Sequence, residues 1–193
     1  MIHAIRLASI ALLLLLTVRA AEAQIDGVMV PTRVQIGAGE ATLVLNGAGT
    51  RRVMAFKVYV MALYLPTKTG DSEAILHANL PSRLYFRLLL DVTARQLESW
   101  INDALDETLR AEERLSLEPR LKQLNAVLGT SPELKKGTEI ALDYLPQVGT
   151  TIQLNGTEKG CISGSDFREA LLRIWIGDRS KDSGLKKALL GAG

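Results

Sequence analysis

Between two sets of strand-like runs, residues 93–128 switch to a spacing of three and four, and that switch most narrows the fold. Thr93 is followed three residues later by Gln96, the pattern of a capping box. Leu97, Trp100, Ile101, Ala104, Leu105 and Leu109 then share one helical face, with charged residues opposite. A second helix carries Leu121, Leu124, Val127 and Leu128 and stops at Gly129. Ahead of these helices, "VPTRVQIGAGEATLVLNGAG" reads as two short strands joined by "GAGE". "MAFKVYVMALYLP" reads as a third strand ended by Pro66, and "RLYFRLLLDV" as a fourth. The stretch between those last two, residues 67–82, reads as loop with one short helical turn. After the helices, "TEIALDYLP", "TTIQLNG" and "TEKGCIS" form a meander, with Asn155-Gly156 as a two-residue hairpin turn. The same residues with Thr157 match a glycosylation sequon, but the turn already accounts for them. Ser165 is expected to cap a further helix, with Phe167, Ala170, Leu171, Ile174 and Trp175 on one face and Gly177 as its stop. A short terminal helix lies in "DSGLKKALLG". Strands, helices, strands and helices in that order predict an α+β domain whose antiparallel sheet buries one face under helices.

The chain has 193 residues, enough for one domain with its own hydrophobic core. Its first stretch reads as separate from that domain. A basic start at Arg6, an apolar run from Leu7 to Val18 and the Ala21-Glu22-Ala23 site make residues 1–23 a signal peptide. The run is too short for a stable membrane span. No cysteine follows the site, so a lipid anchor there is not expected. The mature chain is expected to be residues 24–193, periplasmic or secreted, with no stable membrane span after cleavage. Net charge is +2, which gives no reason to invoke nucleic acid.

Several chemistries find little support. Cys161 is the single cysteine, so no internal disulfide can form, and a small buried core residue is the expected role. His77 is the one histidine outside the signal peptide, which leaves neither a metal site nor a serine–histidine triad. Gly47 and Gly49 lack the third glycine and following helix of a dinucleotide loop, and no Gly-Lys-Ser/Thr follows them. Asp103, Asp106 and Glu107 fall on the solvated side of their helix, and a loop role suffices for Asp178 and Asp182. No metal and no cofactor is expected, and catalytic residues are not assignable.

"LNGAGTRRVMAFKVYVMALYLP", residues 45–66, holds what remains: Arg51 or Arg52 with Tyr59 and Tyr64. The glycines read as a turn. Strict strand alternation groups Tyr59 with Lys57, Met61 and Leu63, and Tyr64 with Val58, Val60 and Ala62. The residues admit two readings. One is packed aromatics with surface arginines. The other is an arginine fork that fixes a carboxylate or enolate with help from a phenol.

"NGAGTR", "FKVYVMALYL", "GTEIALDYLP" with "GTTIQLNG", and "DFREALLRIWIGD" with "LKKALLG" together resemble the chalcone isomerase-like family, in its bacterial exported branch. The likeness runs from about residue 27 to 191 and rests on the order and spacing of these segments. It implies an open-faced β-sandwich: a long antiparallel sheet covered by helices, with a ligand cleft between them. Family members either isomerise chalcones as intramolecular lyases or bind fatty acids without catalysis, with an arginine and a tyrosine at the carboxylate. Carried over, Arg51 becomes the anion-binding residue, with Arg52 as the alternative. Tyr59 falls where the isomerases have a catalytic threonine and the fatty-acid binders a tyrosine. The expectation is therefore a binding protein for a fatty acid or a similar small amphipathic carboxylate. Its head group lies at Arg51 and Tyr59, with Lys57 as a second cation, and its tail lies against Met61, Leu63, Trp100 and Leu105. The alternatives are an isomerase acting on a phenolic enone and a structural or partner-binding envelope protein. A geometric condition follows. Eight extended residues span about 26 Å, so the chain must bend between Arg51 and Tyr59, although "RRVMAF" holds neither glycine nor proline.

Overall fold

The computed structural model describes residues 21–191. Within them the chain opens with a two-stranded ribbon, β1 (Glu22–Ile25) and β2 (Val28–Pro31). There follow β3 (Arg33–Ile36), β4 (Ala41–Val53), β5 (Phe56–Leu65), α1 (Ser72–His77), β6 (Ser82–Leu88) and β7 (Val92–Thr93). Next come α2 (Ala94–Thr108), α3 (Ala111–Gly129), β8 (Glu133–Leu134), β9 (Glu139–Leu145), β10 (Gly149–Leu154), β11 (Thr157–Ile162), α4 (Ser165–Ile176) and α5 (Ser183–Leu189). The segments expected at residues 1–20 lie outside the described residues.

Seven strands pair in the order β11-β10-β9-β6-β5-β4-β3, every pairing antiparallel. The helices cover one face. Met61, Leu63 and Leu65 of β5 and Leu84, Phe86 and Leu88 of β6 pack there with Leu105, Leu121, Leu124, Phe167 and Leu171. The other face is partly roofed by the β1–β2 ribbon, whose Val28 and Val30 pack with Ile36, Leu43, Val60, Ala62 and Tyr64. β5 is covered on both sides. That explains its nearly unbroken apolar sequence, since a strand with one solvated face would alternate.

Local signals account for most element ends. The capping box at Thr93 and Gln96 is formed, with Gln96 N–H donating to Thr93 Oγ1 at 3.2 Å and Thr93 N–H to Gln96 Oε1 at 2.8 Å. Asn155 and Gly156 both take positive φ, as the two-residue hairpin turn requires. Gly164, not Ser165, occupies the position before α4, and no side chain caps that helix. Arg168 of α4 is buried without a carboxylate partner. It donates instead to Ser82 Oγ and to the carbonyls of Ile75 and Leu76, tying α1 to α4, and burial pulls its pKa down to about 10.

The glycine-rich stretch corrects the expected turn. β4 runs unbroken from Ala41 to Val53, straight through "NGAGTR". The turn falls later, at Met54-Ala55, with Met54 at φ 55°. Gly47 and Gly49 serve packing: a Cβ on Gly47 would sit 2.0 Å from the Ala188 carbonyl oxygen, and one on Gly49 2.9 Å from the Ala188 Cβ. The backbone of β4 thus carries α5 directly on its surface. Asn46, an extra residue at a register shift beside Gly47, fixes the far end of that helix, its Nδ2 donating to the Leu189 carbonyl at 2.8 Å.

Candidate functional site

The hairpin supplies the bend that the sequence left unmarked. Arg51 stands directly opposite Tyr59 on adjacent antiparallel strands. Paired residues point to the same side of a sheet, and here that side faces the helices. Gly47, Gly49 and Arg51 follow one another at every second position of β4, so the arginine comes next along the row that α5 covers. The first turn of α5 meets it. Asp182 accepts a 2.8 Å hydrogen bond from Arg51 Nη1, while its other oxygen accepts from the Leu185 N–H at 2.9 Å and caps the helix.

Tyr59 forms a corner of aromatic wall. Trp175 Nε1 donates to its hydroxyl at 2.8 Å, and its ring meets Phe86 edge-on at 5.5 Å. The phenol oxygen is therefore an acceptor for Trp175, and its own hydrogen has no acceptor among the described residues. Burial raises the Tyr59 pKa, opposed by the Trp175 hydrogen bond and the Arg51 charge, so the group remains a neutral donor at ordinary pH.

Arg51 and Tyr59 both line a cavity of about 380 Å³ between sheet and helices, within the usual range of small-ligand pockets. Its walls are apolar, built from Phe86 and Leu88 of β6, Leu97 and Ile101 of α2, Leu124 and Leu128 of α3, and Leu171 and Ile174 of α4. Charged residues gather with Arg51: Asp103, Glu107, Arg179, Lys181 and Asp182. Lys181 pairs with Glu107 and Arg51 with Asp182, whereas Arg179 makes no ion pair among the described residues. The expected loop role of Asp182 is thus incomplete. It is also the counter-ion of Arg51, a contact across 131 positions that local sequence does not signal.

The expected site residues separate in space. Arg51, Tyr59 and Trp100 line the cavity. Met61, Leu63 and Leu105 are fully buried in the core beneath it and do not. Lys57 stands away from the cavity, its Nζ 2.5 Å from Asp26 Oδ1 on the opposite side of the sheet, so it is not a second cation at Arg51. The cause is a register shift in which Arg51 pairs with Tyr59 but Arg52 pairs with Lys57. The extra residue on β5 breaks strict alternation, turning Val58 towards the cavity and Lys57 away from it. Arg52 likewise points to Asp26, at 3.2 Å. Cys161, expected in the core, is exposed on the outermost strand β11.

The model of the family described as chalcone isomerase-like matches residues 22–191. The chain belongs to the chalcone isomerase-like family. Among solved structures, a fatty-acid binding protein of Arabidopsis thaliana superposes with a TM-score of 0.73 at 11% identity, covering 88% of this chain and 96% of its own. At that identity the likeness is one of fold. No curated protein matches the chain by sequence.

Proposed function

We propose that this member of the chalcone isomerase-like family is an exported, non-catalytic binding protein for a fatty acid or similar amphipathic carboxylate. One observation carries the reading: a neutral phenol donor and a guanidinium stand opposite one another where an otherwise apolar cavity turns polar. The carboxylate accepts from Tyr59 Oη and from the Arg51 nitrogens not engaged with Asp182. The tail lies against Phe86, Leu124, Leu128 and Leu171. Magnitudes divide the work. Each buried methylene contributes roughly 0.8 kcal/mol, so ten of them outweigh a charged hydrogen bond worth about 1.5–3 kcal/mol. The tail provides affinity, and the arginine and phenol set orientation and select for an acid. The solved fatty-acid binding protein of the same fold supports the ligand class.

Export rests on residues 1–23. Cleavage after Ala23 falls inside β1, removing the pairings of Glu22 with Pro31 and Ala23 with Val30 and keeping those of Gln24 and Ile25. N-terminal sequencing of protein recovered from a bacterial periplasm checks it, Gln24 being the expected first residue.

Native mass spectrometry of that protein, followed by solvent extraction, tests the binding reading. A retained fatty acid, depleted in Arg51→Ala, is expected. A protein that is empty and takes up no fatty acid on titration would overturn the reading, and turnover of a chalcone would overturn its non-catalytic part.

A further inference from the structure

The turn between β4 and β5 is an unusual place for its residues. Met54 occupies a positive-φ position where glycine or asparagine is the ordinary choice, and its side chain is 94% exposed. Phe56 is 69% exposed and Val53 48%. Single apolar side chains on a surface need no explanation, but three within one four-residue hairpin tip do. The tip is also joined to the cavity, since Val53 lines it along with Arg51 and Val58. Trp100 of α2, 41% exposed and itself a lining residue, sets an indole at the cavity rim.

The charges on the hairpin itself are one-sided, whereas at the cavity the carboxylates Asp103, Glu107 and Asp182 stand with Arg51, Arg179 and Lys181. Residues 41–65 contain three cations, Arg51, Arg52 and Lys57, and no carboxylate. Behind the tip, Arg52 and Lys57 share the single carboxylate of Asp26, which leaves a net positive charge there. Arg179, also at the cavity, is exposed and makes no ion pair among the described residues. An apolar tip backed by excess positive charge complements a surface with an acyl interior and anionic head groups.

We propose that the Val53–Phe56 tip docks the protein on a lipid bilayer bearing anionic head groups, with the cavity facing the membrane. Met54 and Phe56 enter the interface, and Arg52 and Lys57 lie over the head groups. Docking stands on the tip alone. The passage of a fatty acid between bilayer and cavity, without crossing water, rests on the binding function proposed above.

Every described strand and helix and both apolar clusters lie within residues 22–190. The chain from Ala21 therefore carries every described element, and its use keeps the apolar run of residues 7–18 from binding lipid on its own account. This chain and its Met54→Ser/Phe56→Ser variant are compared by co-sedimentation with phosphatidylcholine vesicles, with and without phosphatidylglycerol. Fatty-acid affinity is titrated separately without vesicles. Expected are binding to phosphatidylglycerol vesicles that weakens with salt, a loss of at least about tenfold in the variant, and equal melting temperature and fatty-acid affinity in the two proteins. A second variant, Arg52→Gln/Lys57→Gln, is expected to lose the preference for phosphatidylglycerol. Wild-type protein that stays in the supernatant while binding fatty acid overturns docking and leaves the binding function standing. Equal sedimentation of wild type and tip variant overturns the tip as the docking element. So does concentration-dependent dimerisation that the tip variant abolishes, in place of vesicle binding. Vesicle binding without any fatty-acid affinity overturns the passage of ligand and the binding function while docking stands.

Discussion

The two faces of the β4–β5 hairpin hold similar residues in different circumstances. Towards the helices stand Arg51 and Tyr59; towards the ribbon side stand Arg52, Lys57 and Tyr64. On the first side the tyrosine hydroxyl has a hydrogen to give and borders a cavity. On the second, Tyr64 donates to the Pro31 carbonyl at 2.9 Å and is almost fully buried. The two arginines divide in the same way. Arg51 shares its carboxylate partner with a helix cap, whereas Arg52 shares Asp26 with Lys57 and Thr50 at the surface. What separates a site from a seal here is the covering element. Helices that bridge the sheet leave space beneath them, whereas the ribbon laid on the strands buries Tyr64 in an apolar cluster.

The largest expected effect comes from lifting the element that closes the helix side. Gly47→Val places a side chain where the α5 backbone lies 2.0 Å from the required Cβ. α5 must then move, with its Asp182 cap and the Arg51 pairing. A loss of about 3 kcal/mol or more is expected, read as a large drop in melting temperature. Gly39→Val, which meets no atom within 4 Å but stands at φ 96°, tests backbone strain without any clash and is expected to cost less. Equal losses would mean that α5 is not seated on β4 as described.

The arginines come next. Arg51→Ala removes the proposed head-group cation and leaves Asp182 without its guanidinium partner. A fall of about 10- to 100-fold in fatty-acid affinity is expected, the equivalent of 1.5–3 kcal/mol for a charged hydrogen bond. Arg52→Ala breaks an exposed ion pair worth about 0–1 kcal/mol and is expected to leave affinity within about twofold. Isothermal titration with a fatty acid and with its methyl ester sharpens the contrast, because only the acid should sense Arg51. A comparable loss in both variants would dissolve the distinction between the faces.

The tyrosines should exchange phenotypes. Tyr59→Phe removes the proposed donor to the ligand and an acceptor for Trp175, so affinity should fall about fivefold, near 1 kcal/mol. Tyr64→Phe leaves the Pro31 carbonyl without its partner, so stability should fall by about 1 kcal/mol with affinity unchanged. Chemical denaturation and ligand titration on the same two proteins decide it.

How far these contrasts could be read from the sequence varied with distance along the chain. Where a signal is local, it was legible: the Thr93–Gln96 cap, the Asn155-Gly156 turn, the helical period of α2 and the apolar run of β5. The α+β order of elements followed from those. Arg51 and Tyr59 could be named as partners, but the means of bringing them together could not, because Met54-Ala55 carries no turn signature. Lys57 was misplaced by one extra residue in β5, and a register shift between two strands leaves no mark in either strand's own pattern. Gly47 and Gly49 imitated a turn because their purpose, contact with α5, lies about 140 residues away. Asp182 was passed over for the same reason. Met61, Leu63 and Leu105 were placed on the correct side but lie one layer deeper than the cavity they were expected to line, since periodicity tells which way a side chain points and not whether space remains in front of it.

The smallest expected effect concerns the ionisation of the two phenols, which burial raises on both faces. In the unfolded chain each ionises near pH 10. Above that pH the folded state binds more protons than the unfolded state, so stability must fall as pH rises through the interval between the two pKa values. Below pH 10 neither phenol contributes a slope. Within half a unit above pH 10 the loss should stay under about 1 kcal/mol for each phenol. Tyr64→Phe and Tyr59→Phe should each flatten the alkaline limb of a pH–stability curve. Bound fatty acid should alter only the Tyr59 part, because it buries that phenol further and gives its proton an acceptor. A ligand effect that persists in Tyr59→Phe and vanishes in Tyr64→Phe would place the ligand on the ribbon side, and the assignment of the two faces would have to be reversed.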